Sequence, residues 1–220
     1  MQPYKRLLLC LGLSLIGLSL PHINALAPSG AIALASPREW QEPPSGSEKI
    51  IPLTAYSQLD PQWASYLYGN VDPLSTHGCG PAVLATAIST LNKQVVTPPE
   101  VASWSSTHGF FSPGFGSAHE LIPSGAKAYG LKVEHLPSIT TESLRLALTY
   151  DKLLIFLMGP GNFTSSGHFI VVNGYDADGQ FIIFDPASPE RTSIRWSSEL
   201  LLSQLLTTAY SGGPIWVLSK

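Results

Sequence analysis

Cysteine is scarce in this chain: there are two in 220 residues, Cys10 and Cys79. Cys10 falls in an N-terminal stretch with the pattern of a signal peptide over 1–27: basic Lys5 and Arg6, an apolar run over 7–20, then the small-residue site Ala25-Leu26-Ala27. A second such site, Ala33-Leu34-Ala35, offers a later cut, and a retained anchor is the alternative to cleavage. Removal of the segment leaves Cys79 as a single thiol. That excludes an internal disulfide in a domain expected to be exported, periplasmic or extracellular. Charge is also scarce, with Asp, Glu, Lys and Arg making up 12% of the chain. A cut after Ala27 leaves 193 of the 220 residues and removes Lys5 and Arg6 but no acid, so the formal charge moves from −3 to −5. Scattered Lys and Arg in an acidic domain argue against nucleic acid or an anionic membrane surface as partner. Beyond the first segment no run approaches the roughly 20 apolar residues of a membrane span, so no stable membrane insertion is expected after signal cleavage. Internal repeats and heptads are absent.

What is present divides cleanly. Residues 28–48 are rich in Pro, Ser, Gly and Ala without periodicity and read as a linker, which leaves one domain over 49–220. A strand is expected over 51–56 and a helix over 80–92. Two capping boxes, Thr97-Pro98-Pro99-Glu100 and Ser117-Ala118-His119-Glu120, mark further helix starts, with ends at Gly109 and Gly130. Between them a loop carries Phe110, Phe111 and Phe115, as core cover or as a wall of a substrate cleft. After Leu131 short apolar or alternating runs predict strands over 131–135, 153–158, 169–175, 180–184, 192–196 and 215–218, with helices over 141–149 and 197–206. A helical first half followed by a mostly antiparallel sheet is an α+β plan.

Cys79 stands in Ser75-Thr76-His77-Gly78-Cys79-Gly80-Pro81, immediately before an apolar helical run. A helix N-terminus carries about half a positive charge and favours a thiolate. The competing reading is a small buried hydrophobe, because free cysteine is among the most buried residue types. A cysteine nucleophile needs an imidazole to take its proton and a carboxylate or amide to orient that ring. The histidines on offer after the signal are His77, His108, His119, His135 and His168. His168 is best placed, where a Gly/Ser-rich loop meets a strand. His108, His119 and His135 read as satisfied or exposed residues. If 176–179 is the turn of a hairpin, Tyr175 pairs with Gln180 and Ile170 falls opposite Asp185. His168 shares the face of Ile170, and Asp185 becomes its diagonal neighbour at about 7 Å between Cβ atoms. A three-residue turn would put the two on opposite faces. The same parity sends Asn173 to the other face and sets Asp176 about 26 Å along the strand. Gln58, at the end of the first strand, is a candidate donor to an oxyanion; taken alone it reads as a surface amide. Cys79, His77, His168 and Asp185 are also metal-ligand types, but His-x-Cys is not a usual zinc spacing, and neither a metal nor a cofactor is expected. Asn162-Phe163-Thr164 matches a glycosylation acceptor.

These residues resemble papain-like bacterial cysteine peptidases related to the bacteriocin-leader, or double-glycine, peptidases. The resemblance is carried by Gln58-x-Asp60-x-x-Trp63, His77-Gly78-Cys79-Gly80-Pro81, Thr97-Pro98-x-Glu100, Gly167-His168-Phe169-Ile170-Val171-Val172-x-Gly174-Tyr175 and Asp185-Pro186. It implies a papain-like fold with Cys79 as nucleophile, His168 as general base and acid, Asp185 as orienter, and Gln58 with the backbone N–H of Cys79 as oxyanion hole. The leader-processing peptidases are fused to a transporter with membrane spans and an ATPase; this sequence shows neither a later span nor a phosphate-binding loop. Cleavage after a double glycine is therefore not carried over. The expected function is an exported, monomeric thiol hydrolase acting on a peptide or protein. The alternatives are an acyltransferase using the same residues and a binding module on an inactive peptidase fold.

Overall fold

The computed structural model describes residues 46–220. The signal segment and most of the linker lie outside those residues. β1 (Lys49–Ile50) leads through an extended run to the hairpin β2 (Leu67–Tyr68) and β3 (Asp72–Pro73), the single turn α1 (Leu74–His77) and the long α2 (Cys79–Asn92). α3 (Pro98–Thr107), the hairpin β4 (Phe111–Ser112) and β5 (Gly116–Ser117), and α4 (Leu121–Ala128) complete the helical half. The rest runs β6 (Lys132–Glu134), α5 (Thr141–Thr149), β7 (Leu153–Met158), β8 (His168–Tyr175), β9 (Phe181–Phe184), α6 (Pro189–Ser193), α7 (Ser198–Ser203) and β10 (Ile215–Ser219).

The plan is α+β. β1, β8, β7, β10 and β6 follow one another in the sheet, β9 also pairs with β8, and every one of these pairings is antiparallel. β7 and β8 are buried at every residue; β7 is an unbroken apolar run, whereas β8 also buries the polar His168 and Asn173. α2 is buried from Gly80 to Thr90, its few hydroxyls being those of Thr86, Ser89 and Thr90; α3, α4 and β8 pack around it. Its N-terminus therefore opens against the first residues of β8, and this is what positions the site.

Three local expectations give way to tertiary context. Residues 51–56 are not a strand. Ile51 N still bonds Asn173 O, but Thr54 N and Tyr56 N donate to the hydroxyls of Thr90 and Thr86 on α2, so side chains of a helix replace a neighbouring strand. The box at Ser117-Ala118-His119-Glu120 starts no helix at Ser117: that residue closes the β4–β5 hairpin and its hydroxyl meets Tyr68 Oη at 3.0 Å. α4 begins four residues later. Residues 192–196 are not a strand either. Ser188 accepts from Arg191 N and Pro189 takes the first helical position, so α6 forms there, and only Trp196 bridges to Phe181. The first box is made as expected, with Glu100 Oε2 accepting from Thr97 N at 2.6 Å.

β1 is docked closely enough to test. A Cβ on Gly174 would lie 2.4 Å from Lys49 O and 3.1 Å from the Ile50 Cα, both of them backbone atoms. Gly174→Ala is expected to lower stability by about 1–3 kcal/mol, read as a denaturant midpoint. An unchanged midpoint would show that β1 does not hold this position.

Candidate active site

Cys79 is the first residue of α2 and His168 the first of β8, where it pairs with Met158 of β7. Asp185 follows β9 directly. The hairpin register brings the last two together: Tyr175 pairs with Phe181 and Gly174 with Ile182, then Asn173 bulges out and Val172 pairs with Ile183 and Val171 with Phe184. The next opposed pair along this ladder is Ile170 and Asp185. His168 Nε2 donates to Asp185 Oδ1 at 2.8 Å, and both residues are buried. Nδ1 is the ring nitrogen left for the thiol, with which His168 also shares a hydrogen bond.

The electrostatics follow from these contacts. Burial pushes the Cys79 thiol up, but the hydrogen bond and charge of His168, together with the N–H groups of Phe169 and Gly80, outweigh it and hold the thiol below its ordinary value. Burial works against a charged His168, yet its bonds to Asp185 and Cys79 prevail and push it up to about 9. Burial raises Asp185, whereas His168, Arg191 and the Ala187 N–H hold it below the usual carboxylate range. Both shifts favour the thiolate–imidazolium form of the pair.

Gln58 is 4% exposed, not a surface amide. Its backbone N donates to Pro186 O at 2.9 Å, and Nε2 donates to Ser75 O at 2.8 Å. A carbonyl only accepts, so the amide nitrogen must face Ser75, and Nε2 keeps a second hydrogen. Gln58, Cys79 and His168 share the wall of a cleft of about 650 Å³.

The model of the Peptidase_C39 like family matches residues 50–211. The chain belongs to this family of cysteine peptidases. It is similar to a Bacillus anthracis protein described as a C39-like peptidase, at 16% identity and a TM-score of 0.54 over 79% of this chain and 98% of that one. It is also similar to the peptidase domain of Streptococcus mutans ComA, solved with a small-molecule inhibitor, at 21% identity and a TM-score of 0.40 over 68% of this chain and 98% of that one. No curated protein matches it. The fold of this C39-like chain is the papain-like α+β fold.

The other expected participants of the C39-like chain are distributed as follows. His77 lines the cleft, with Nδ1 at 2.8 Å from Thr76 Oγ1 and 4.0 Å from Asp72 Oδ1. His108 and His135 are exposed, and neither lines the cleft. His119 does line it: it stacks on Tyr210, lies edge-on to Phe169, and Nδ1 accepts from Tyr210 N. The acceptor role leaves the proton on Nε2, and burial lowers the pKa of His119, so this ring is a neutral donor in the cleft. Its position depends on residues 91 apart in sequence, so no local signal marks it. The phenylalanine loop both covers core and reaches the cleft. Phe110 stacks on Trp104 and Phe111 packs on Tyr68, while Phe115 is 90% exposed at the cleft rim. The Asn162 side chain is engaged with Gln204. Among the described residues no three His, Cys, Asp or Glu side chains gather as a metal-ligand set. One residue absent from the sequence reading joins the site: Arg191, whose Nε donates to Asp185 Oδ2 at 2.5 Å.

Proposed function

We propose that the chain is an exported thiol hydrolase that cleaves a peptide or amide bond through an acyl-enzyme on Cys79. The observation that carries this reading is the unbroken set of contacts from the Cys79 thiol through His168 to Asp185, opening into the cleft that Gln58 also lines. The thiolate attacks the carbonyl carbon, and the charge that develops on its oxygen is met by the second Nε2 hydrogen of Gln58 and the backbone N–H of Cys79. The imidazolium gives its Nδ1 proton to the leaving amine as the C–N bond breaks. Water then attacks the thioester, His168 takes a proton from it, and collapse of the adduct breaks the C–S bond, releasing the acid product and returning the thiolate beside the imidazolium. Asp185 keeps the ring in the tautomer and orientation these steps need. No cofactor enters the cycle.

Export rests on the pattern over 1–27, and the substrate is a peptide or protein that fits the cleft. The test is mass spectrometry of enzyme quenched in acid during turnover of a peptide ester. An acyl adduct on Cys79 that decays to free acid is expected. Decay only after an amine or thiol is added would convert the reading to acyl transfer. No adduct during observed turnover would overturn a covalent route.

A further inference from the structure

We propose that Arg191 is a positioning residue of this site: it clamps the Asp185 carboxylate in the one orientation that serves His168, and it ends an alternating chain of four charges, Cys79, His168, Asp185 and Arg191. The inference rests on the thiolate reading above and adds a residue to it.

Asp185 has no side-chain exposure, so both of its oxygens need donors from the protein. Oδ1 accepts from His168 Nε2 and from Ala187 N, each at 2.8 Å. Oδ2 accepts from Arg191 Nε at 2.5 Å. Without Arg191 that oxygen has no donor, and nothing on its side resists rotation of the carboxylate away from the imidazole. The arginine is itself fixed at both backbone groups. Its N–H donates to the Ser188 hydroxyl at 3.1 Å, and its C=O accepts from Trp196 Nε1 at 2.9 Å. Thr192, next on the same turn, accepts from Asp185 N at 2.9 Å. Residues 185–192 thus close on themselves, and the capped turn of α6 is the bracket that aims the guanidinium. The planar fork matters, because a lysine at this position carries the charge without a side-on N–H.

The charges facing this group come from every element around it. His168 is on β8, Cys79 on α2, Tyr68 of β2 beside Cys79, and Glu190 precedes Arg191 on α6. Thiolate, imidazolium, carboxylate and guanidinium sum to zero. Loss of the guanidinium leaves a net negative site and disfavours the thiolate.

The experiment compares Arg191→Gln and Arg191→Lys with the wild-type chain, by the iodoacetamide labelling rate of Cys79 across pH and by peptide turnover. In Arg191→Gln the acid limb of labelling is expected to move up by about one pH unit. Its kcat is expected to fall about tenfold or more with KM unchanged. Arg191→Lys should restore the limb but not kcat, a split that a merely structural arginine would not produce. A limb and a kcat unchanged in Arg191→Gln overturn the proposal. If that variant does not fold, Arg191→Lys decides: wild-type kcat with lysine in place overturns the clamp. His168→Ala separates this inference from the one beneath it. A limb that moves in His168→Ala but not in Arg191→Gln removes only the role of Arg191, whereas a limb indifferent to His168 removes the site itself.

Discussion

Replacing Cys79 by Ala is expected to reduce peptide turnover by at least about 10⁴-fold in kcat, while the melting temperature stays within a few degrees of wild type. The first half of the expectation follows from the chemistry: the Sγ–acyl bond has no substitute, and Cys79 is the only cysteine among the described residues. The second follows from α2. Residues from Gly80 to Thr90 of that helix are buried, and alanine is a good helix former at its first position, so the helix does not depend on the thiol. What is lost is the thiol's contact with His168 and with the N–H groups of Phe169 and Gly80. The imidazole keeps its bond to Asp185 and loses the two contributions from Cys79, so it should titrate lower in the variant than in the wild type. Activity and the His168 titration, followed by the chemical shift of its ring protons, can be read on the same sample. Turnover at the wild-type rate would remove Cys79 as nucleophile.

How far this site is legible in sequence depends on whether each contact is local. α5 and β7 lie where their caps and apolar run place them, because the Thr140 cap and the apolar run over 153–158 are local facts. The strand expected over 192–196 fails for a local reason too: Ser188 and Pro189 are a helix start, and alternation around Ile194 outweighs them only on paper. The pairing of His168 with Asp185 is the instructive case. The expected ladder sets Tyr175 opposite Gln180; the real one sets it opposite Phe181, a turn one residue longer. That alone would have moved Asp185 to the wrong face. The bulge at Asn173 takes the residue back, because Asn173 O accepts from Ile51 N and its side-chain amide donates to Ile51 O, which draws it off the β9 ladder. Ile51 is 122 residues away, so the compensation is invisible to a two-strand argument. Gln58 was readable only as one of two possibilities. Its burial depends on Pro186 and Ser75 closing over it, again at long range. Arg191 has no motif at all, since its meaning arises when α6 folds back on Asp185.

His168→Ala is expected to move the thiol of Cys79 in the opposite direction from its present shift. The largest influence on that thiol is burial, which pushes it above its ordinary value of 9.0; the hydrogen bond and charge of His168 are the next largest and reverse the sign. The variant removes the reversal and keeps the burial, leaving only the Phe169 and Gly80 N–H groups in favour of the thiolate. Iodoacetamide labelling at neutral pH should therefore slow by at least about tenfold, with its acid limb at or above an ordinary thiol value. Peptide turnover should fall by about 10⁴-fold, because base and acid are lost together. Stability is expected to respond less simply. His168 is raised, so alone it would stabilise the fold fully below its unfolded value of 6.5 and lose that stabilisation as pH rises through about 9. Cys79 is lowered, so alone it would stabilise above 9.0 and lose that as pH falls through its folded value. Between 6.5 and about 9 the two slopes oppose each other, because folding raises the imidazole, which takes up a proton, and lowers the thiol, which gives one up. As far as this pair is concerned, wild-type melting temperature should vary less across that window than either group alone would make it, and the share from Cys79 should be lost as pH falls through its lowered folded value. In His168→Ala a raised thiol reverses the acid-side behaviour: stability from Cys79 is full below 9.0 and declines only above it. A variant whose melting temperature and labelling limb both track the wild type would mean that Cys79 and His168 do not share a proton. The site would then contain a cysteine and a histidine, but not a catalytic pair.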